Sequence, residues 1–374
     1  MKLTVERDGL HAALGRVAKI IAHKSSMPIL THLRLRAGGA NRIALTGTDL
    51  DIEAMTAMDA EVDTPGAALI PAHMLTSIVA KIPAGAQIQL ESESEGRVTI
   101  RSGRSRFALQ VLPESDFPEL AHPEPTSAFE IDAKTLLTLL SQVDFAISNE
   151  ETRYYLNGVF MHIINGADGP MLRAVATDGH RLARAECIAP PDSANLPGII
   201  IPSKTVSEIK RLSKDATSHI QIQCDGKRIQ LIFGGKDTTL ISKLVDGTFP
   251  DYARVVPTDH PHRVTFPRGL MVEAAERVSC IASERGRSVK MAISDSRLGL
   301  SITDPCGGDA AEEIECAYDA APVDIGVNVN YLIEALSVFE SEEVHLNLAD
   351  PASPLLFMER EGSSLQIVLM PMRL

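Results

Sequence analysis

The sequence predicts an α+β chain made of three copies of one domain, each a doubled β-α-β-β-β unit with two helices and eight strands. Two observations predict it. The dipeptide Thr-Asp closes an apolar run at Thr48-Asp49, Thr177-Asp178 and Thr303-Asp304, 129 and 126 residues apart in a chain of 374. A period this long is a whole domain and not a solenoid repeat. The surroundings recur as well. Strand-like stretches precede each pair (Arg42-Ile-Ala-Leu-Thr, Leu172-Arg-Ala-Val-Ala, Leu298-Gly-Leu-Ser-Ile), and after a further strand-like stretch come helix-like ones near 70–82, 201–212 and 327–339. The expected domains are 1–122, 127–253 and 262–374, each large enough for one core.

In the first domain a strand at residues 2–6 leads into a helix from Asp8, as its N-cap, to about residue 22. Leu10, Ala13, Leu14, Val17, Ile20 and Ile21 fall at helical spacing along it. Strands are expected near 29–36, 42–47, 51–62 and 67–70, then a helix at 72–81 and strands at 86–92, 97–102 and 105–112. The second domain repeats this with helices at 134–147 and 204–212, the third with helices near 268–283 and 330–339. Proline-rich linkers, Ala121-His-Pro-Glu-Pro and Val256-Pro-Thr-Asp-His-Pro, are short and stiff. The first two domains end alike, in Leu112-Pro-Glu-Ser-Asp-Phe-Pro and Leu244-Val-Asp-Gly-Thr-Phe-Pro.

Composition narrows the function. With aromatics at 4% and no Trp, the cores must be aliphatic. The opening Met1-Lys-Leu-Thr-Val-Glu-Arg-Asp carries no apolar signal segment and no apolar run approaches membrane length, so a cytoplasmic protein without a membrane partner is expected. Five cysteines without a Cys-x-x-Cys pair read as isolated thiols; no metal site and no cofactor is expected. The net charge of −13 would repel nucleic acid, yet it is unevenly spread. The helix-like stretches 7–24, 204–214 and 268–290 hold 13 Lys/Arg against 5 acids, and the rest of the chain 23 against 44.

A row of β-domains leaves a free edge at each end, which needs a partner. Head-to-tail pairing closes such a row into a ring. The last strand of the first domain puts Arg104, Arg106 and Ala108 on one side and Ser105, Phe107 and Leu109 on the other. The third domain offers Ile281 and the acids Asp309, Glu312 and Glu313, so apolar contact and opposite charge favour docking.

Catalytic chemistry is not evident. Asp178 and His180 could form an acid–base pair, but Thr-Asp recurs in the other copies without the histidine, so Asp178 reads as the cap of a strand-end turn. No nucleophile elbow or metalloprotease motif accompanies it. Gly234-Gly-Lys-Asp-Thr-Thr lacks a phosphate-loop spacer and reads as a hairpin. The C-terminus, Leu365-Gln-Ile-Val-Leu-Met-Pro-Met-Arg-Leu374, is unusually apolar, and its pliable methionines suit a peptide groove. A non-catalytic ring, a monomeric three-domain peptide-binding scaffold and a hydrolase using Asp178 and His180 are the readings the residues leave open.

With Thr177-Asp-Gly-His-Arg-Leu and Met370-Pro-Met-Arg-Leu, the chain resembles the bacterial DNA polymerase III β subunit family, the sliding clamps, over its full length. Met27-Pro-Ile-Leu, Ser102-Gly-Arg-Ser-Arg-Phe, Arg153-Tyr-Tyr-Leu-Asn-Gly and Val245-Asp-Gly-Thr-Phe-Pro-Asp-Tyr extend the likeness. The resemblance implies a DNA-clamp fold and a homodimeric six-domain ring around double-stranded DNA. It implies a non-catalytic processivity factor that tethers the replicative polymerase, clamp loader and repair polymerases through short linear motifs. It implies a client-peptide pocket at Leu156, Thr177, Gly179, His180, Arg181, Leu182, Pro250, Arg254, Val255, Val368, Met370, Pro371, Met372, Arg373 and Leu374. DNA contacts would fall on Lys24, Arg153, Tyr154, Tyr155, Lys204, Arg287 and Lys290. Dimer contacts would fall on Arg104, Arg106, Phe107, Leu109 and Ile281, with Glu312 and Glu313 as acidic partners. The chain departs from the family pattern where Asn149-Glu-Glu-Thr brings two acids next to Arg153, at Gly286, and at Cys306-Gly-Gly-Asp-Ala-Ala.

Overall fold

Leu10, Ala13, Leu14 and Val17 recur at helical spacing and are buried together on one face of α1 (Arg7–Val17). The same logic forms α2 (Ala72–Lys81), α3 (Ala133–Ser141), α4 (Ser203–Lys214), α5 (Arg268–Ser279) and α6 (Val329–Ser337). The structure, a computed structural model, describes residues 1–93, 96–167, 169–214, 219–235, 237–282, 288–304 and 307–373. They form two units, one of residues 1–136, 190–196 and 207–244, the other of residues 137–189, 197–206 and 245–374.

The first unit holds two antiparallel sheets. Five strands lie in the order Glu61–Thr64, Lys2–Glu6, Gln87–Glu93, Arg97–Ser102 and Ser105–Gln110. Eight lie in the order Ser127–Asp132, His219–Cys224, Arg228–Phe233, Thr238–Lys243, Ile52–Asp59, Arg42–Thr48, His32–Ala37 and Gly66–Pro71. The eight-stranded sheet is continuous across two repeats because Thr238–Ser242 pair with Ile52–Thr56. Leu3, Leu10, Leu14, Leu33, Leu35, Ile43 and Leu45 are fully buried in this unit, an aliphatic core as expected.

In the second unit eight strands run Ile199–Pro202, Gly158–Gly166, Gly169–Thr177, Arg181–Ile188, Leu365–Leu369, Leu355–Met358, Glu343–Leu348 and His262–Pro267. Four more run Gly308–Glu315, Arg297–Asp304, Ser288–Ser294 and Val323–Asn328. Here the junction between repeats is Arg181–Ala185 on Leu365–Leu369. Phe266 and Phe357 are the largest side chains fully buried in this unit.

Several local expectations are corrected. α1 stops at Val17, because Ile20 and Ile21 turn inward on tighter bonds to the carbonyls of Val17 and Ala18. Asp8 is not the N-cap: the strand Lys2–Glu6 enters the helix directly, Glu6 occupies the cap position, and Asp8 Oδ2 accepts the Gly85 N–H at 3.0 Å. The single strand expected at 51–62 divides at Ala60, whose N–H is held by the Asn41 carbonyl at 2.9 Å. Its two parts, Ile52–Asp59 and Glu61–Thr64, then belong to different sheets. The helix expected near 268–283 ends at Ser279, and Lys290, counted in the basic stretch 268–290, lies on a strand. α5 itself carries Arg268 and Arg277 against Glu273 and Glu276 and is therefore electrically balanced. α4 keeps the expected excess, with Lys204, Lys210, Arg211 and Lys214 against Glu208.

The described cysteines are all unpaired, as their spacing suggests, and Cys306 lies outside the described residues. Burial pushes the Cys187 thiol up to about 11.

Candidate functional site

The Thr-Asp pairs are turns, built alike. Thr48 Oγ1 donates to the Ile52 carbonyl at 2.9 Å, and Asp49 Oδ1 accepts the N–H groups of Asp51 and Ile52 at 3.0 and 2.9 Å. In the middle copy Thr177 Oγ1 donates to the Arg181 carbonyl at 2.7 Å, and Asp178 Oδ1 accepts from the His180 and Arg181 N–H groups at 2.8 and 3.0 Å. In the third, Asp304 Oδ1 accepts the Gly307 N–H at 2.9 Å. In the first two copies the residue after Asp takes a left-handed conformation, Leu50 at φ 81° and Gly179 at φ 89°. Glycine does this without strain, and its missing side chain also matters, since a Cβ there would lie 2.5 Å from Arg153 Nη1.

This geometry removes the hydrolase reading. Asp178 spends its carboxylate on backbone N–H groups and on Arg181 Nε at 3.1 Å, so it does not orient the His180 ring. That residue is exposed, and its ring is inclined 27° to Tyr331 with centroids 6.4 Å apart.

Arg181 is the anchor of the turn. Only 9% exposed, it pairs with Asp178 and Glu334, donates to the Phe145 carbonyl at 2.6 Å, and sits between the Phe145 and Tyr331 rings at 5.1 and 4.3 Å. Arg153 braces the turn from the other side, pairing with Glu150 and donating to the Asp178 carbonyl at 3.0 Å.

Beneath the turn lies an apolar cluster that includes Leu156, Val175, Leu182, Tyr252 and Val368. Phe160 stacks on Phe249 with centroids 4.9 Å apart. His162 Nε2 and Arg173 Nη1 reach the Tyr252 hydroxyl at 2.9 and 3.1 Å, and burial pushes the His162 pKa below its ordinary value. The C-terminal segment closes one wall: Met370 N–H donates to the His180 carbonyl at 2.9 Å, and Met372 N–H to the Gly326 carbonyl at 2.8 Å.

The expected pocket residues thus divide by role. Leu156, Leu182 and Val368 are buried apolar side chains, and Thr177 and Arg181 are buried in the turn itself. Val255, Met370 and Met372 are exposed apolar side chains, joined by exposed Gly179, His180, Pro250, Arg254 and Arg373 and by half-buried Pro371. Leu374 lies outside the described residues. Phe145, Tyr331 and Glu334, which hold Arg181, escaped the sequence reading because each looks like ordinary helix or turn content. Phe249 and Tyr252 lie in the quoted Phe-Pro-Asp-Tyr motif and were within reach of it.

The other expected positions are less uniform. Lys24 and Lys204 are exposed, and Tyr154 is 53% exposed and packs edge-on to Tyr155. Arg153 is occupied as described, and Lys290 pairs with Asp324 at 2.7 Å. Arg287 lies outside the described residues. Arg104, Arg106 and Phe107 are exposed at or beside the edge strand Ser105–Gln110, while Leu109 and Ile281 are half-buried. Of the acids, Glu312 already binds Arg277, and Glu313 lies 3.1 Å from Arg297. Among the described residues no group of acids, histidines or cysteines has the arrangement of a metal site.

Three family models cover the chain: the DNA polymerase III beta subunit N-terminal domain at residues 1–121, its central domain at 130–251 and its C-terminal domain at 253–373. The beta sliding clamp of Caulobacter vibrioides is 41% identical over 374 residues, and that of Escherichia coli 35% over 378, each match covering 100% of both chains. A crystal structure of the Caulobacter crescentus beta sliding clamp with PEG bound superimposes with a TM-score of 0.97 at 40% identity, covering 100% of this chain and 99% of that one. A sliding clamp from Bartonella birtlesii bound to griselimycin gives 0.96 at 37%, covering 100% of both.

Proposed function

The chain belongs to the DNA polymerase III beta subunit family, the beta sliding clamps, and on that premise we propose how it works. Two copies close head to tail into a ring around duplex DNA, and the ring tethers the replicative polymerase, clamp loader and repair polymerases through their short linear motifs. The protein is a processivity factor of DNA replication, with three clamp domains and no chemistry of its own. Domain limits of 1–122, 127–253 and 262–374 fit the repeat. A cytoplasmic location fits the task, and among the described residues no helix is long and apolar enough to cross a membrane.

The ring rests on which sheet edges are left unpaired. The last strand of the middle repeat pairs with the strand after Thr48-Asp49, and the last strand of the third with the strand after Thr177-Asp178. Two strands of these types remain at sheet edges: Ser105–Gln110, the last of the first repeat, and Gly308–Glu315, which follows Thr303-Asp304. The same junction made a third time therefore has to join two chains, which is a heterologous contact that closes. Carrying the observed register over, Phe107 faces the partner's Ala310, and Arg104 faces the partner's Glu313.

Pro250, Arg254, Val255, Met370, Pro371, Met372 and Arg373 form the contact surface for client peptides, on the floor of Leu156, Leu182 and Val368. The mix of apolar side chains and a few polar anchors suits several related peptides. DNA is met by Lys24, by Lys204 and the rest of basic α4, and by Tyr154 and Tyr155. Arg153 pairs with Glu150, and Lys290 with Asp324. Contacts to phosphates carry no sequence information, so the ring slides.

Retention on nicked circular DNA, followed by release when the circle is linearised, tests the topological link. Equal retention on both forms, or a stable monomer at micromolar concentration by native mass measurement, rejects the ring.

A further inference from the structure

The strand Val323–Asn328 ends the four-stranded sheet, paired on one side with Ser288–Ser294. On its other side it makes one isolated bridge, between Gly326 and Met372. Backbone groups of an antiparallel strand alternate in direction, so Asp324, two residues from outward-facing Gly326, also turns its N–H and carbonyl outward. Among the described residues no backbone group meets them.

Two clefts lie along this edge and share Asp324 and Pro351. One of about 460 Å³ runs toward Tyr318 and His262; the other, of about 530 Å³, runs toward Pro371, Met372 and Arg373. Together they make a trough leading away from the C-terminal wall of the client pocket. Residues 321–326 of an extended edge span about 17 Å, enough for roughly five residues of a second strand. Pro322, Val323, Ala349 and Pro351 give the trough an apolar lining, and the carboxylates of Asp324 and Asp350 stand at its rim. Asp324 shares its charge with Lys290, and Asp350 is turned into its own loop through the Ala352 and Ser353 N–H groups.

We propose that this edge and trough are a second docking segment, which takes the residues flanking a client's pocket-binding motif as an added β-strand. The inference rests on the pocket reading above. Its occupant is an extended peptide carrying an aliphatic side chain for the trough and a basic one for the acidic rim. Backbone bonds to Asp324 supply the affinity, and the alternate side chains the selectivity. The occupant continues the proposed client surface, since Pro371, Met372 and Arg373 belong to that surface and also line the trough.

The test uses the full-length protein and two synthetic peptides: the docking motif of the replicative polymerase alone, and the same motif with five native flanking residues on each side. Titration calorimetry is expected to show the longer peptide binding about tenfold tighter, the worth of one or two added backbone hydrogen bonds. Asp324→Pro, which removes the outward donor at an edge where proline is tolerated, and Ala321→Trp, which fills the cleft away from the C-terminal segment, each erase that gain and leave the short peptide unchanged. Equal affinity of the two peptides for the native protein overturns the proposal, and so does a gain that survives both substitutions. If the short peptide still binds after removal of residues 370–374, the pocket reading itself fails, and the trough falls with it.

Discussion

The guanidinium of Arg181 lies 4.3 Å from the centre of the Tyr331 ring, tying the middle Thr-Asp turn to helix α6. The resemblance counts Arg181 among the peptide contacts. Its burial, its two carboxylate partners and the second ring at Phe145 make it the support on which the contacts stand.

Arg181→Ala is therefore expected to destabilise the folded protein by about 3 kcal/mol, because it leaves Asp178 without its cationic partner. Arg181→Lys restores little, since an ammonium cannot fill a planar slot between two rings. Urea denaturation followed by circular dichroism reads both. A change below about 0.5 kcal/mol for Arg181→Ala, the usual range of a surface substitution, refutes the supporting role.

Deleting residues 370–374 removes Met370, Pro371 and Met372 together with the bonds to His180 and Gly326. Client-peptide affinity should fall at least ~10-fold, as for loss of an interface anchor. The dimer, which uses other strands, should keep its mass in native mass spectrometry. Normal peptide binding by the truncated chain would mean that the pocket is elsewhere.

Phe107→Asp places a charge in the proposed interchain junction and should weaken dimerisation by about 2 kcal/mol or more. The register adds a sharper check. Arg104→Glu should weaken the dimer, and Glu313→Arg in the same chain should recover part of the loss, because the two positions face each other across the junction. Sedimentation velocity distinguishes recovery from further loss, and further loss rejects the register.

His162 is held against Phe160 and the Tyr252 hydroxyl, with Arg173 opposing its charge and Glu186 favouring it, and its pKa is depressed chiefly by burial. Below about pH 6.5 the unfolded chain takes up a proton there that the folded chain refuses. The stability that His162 contributes is thus present above that pH and is lost as the pH falls toward the depressed folded value. Melting temperature should drop between pH 7 and 5, and His162→Gln should flatten part of that drop. An unchanged slope in the variant removes His162 as its cause.

The triplication, the helix positions and the aliphatic character of the cores were all legible, because repeated Thr-Asp pairs and helical spacing are local patterns. Helix ends were not. Residues 18–21 keep the apolar spacing of a helix but leave it, since burial of Ile20 and Ile21 is satisfied by a tighter turn. The basic run at 268–290 divides between a helix, a strand and the residues between them, which no count of charges reveals. The division of 51–62 between two sheets was hidden for the same reason: one continuous extended pattern serves either sheet.

The sequence by itself determined three copies of one domain, the three matching turns and the departure at Gly179-His180-Arg181 that marks the middle one, since these depend on residue identity and spacing. The tertiary structure alone decided which strands pair across repeats, which two edges stay open, and that Arg181 is held by Phe145, Tyr331 and Glu334. Those relations join residues up to 190 positions apart, as in Ile52 beside Ser242. Hydrogen-bond register and ring packing select such partners only after the chain has folded.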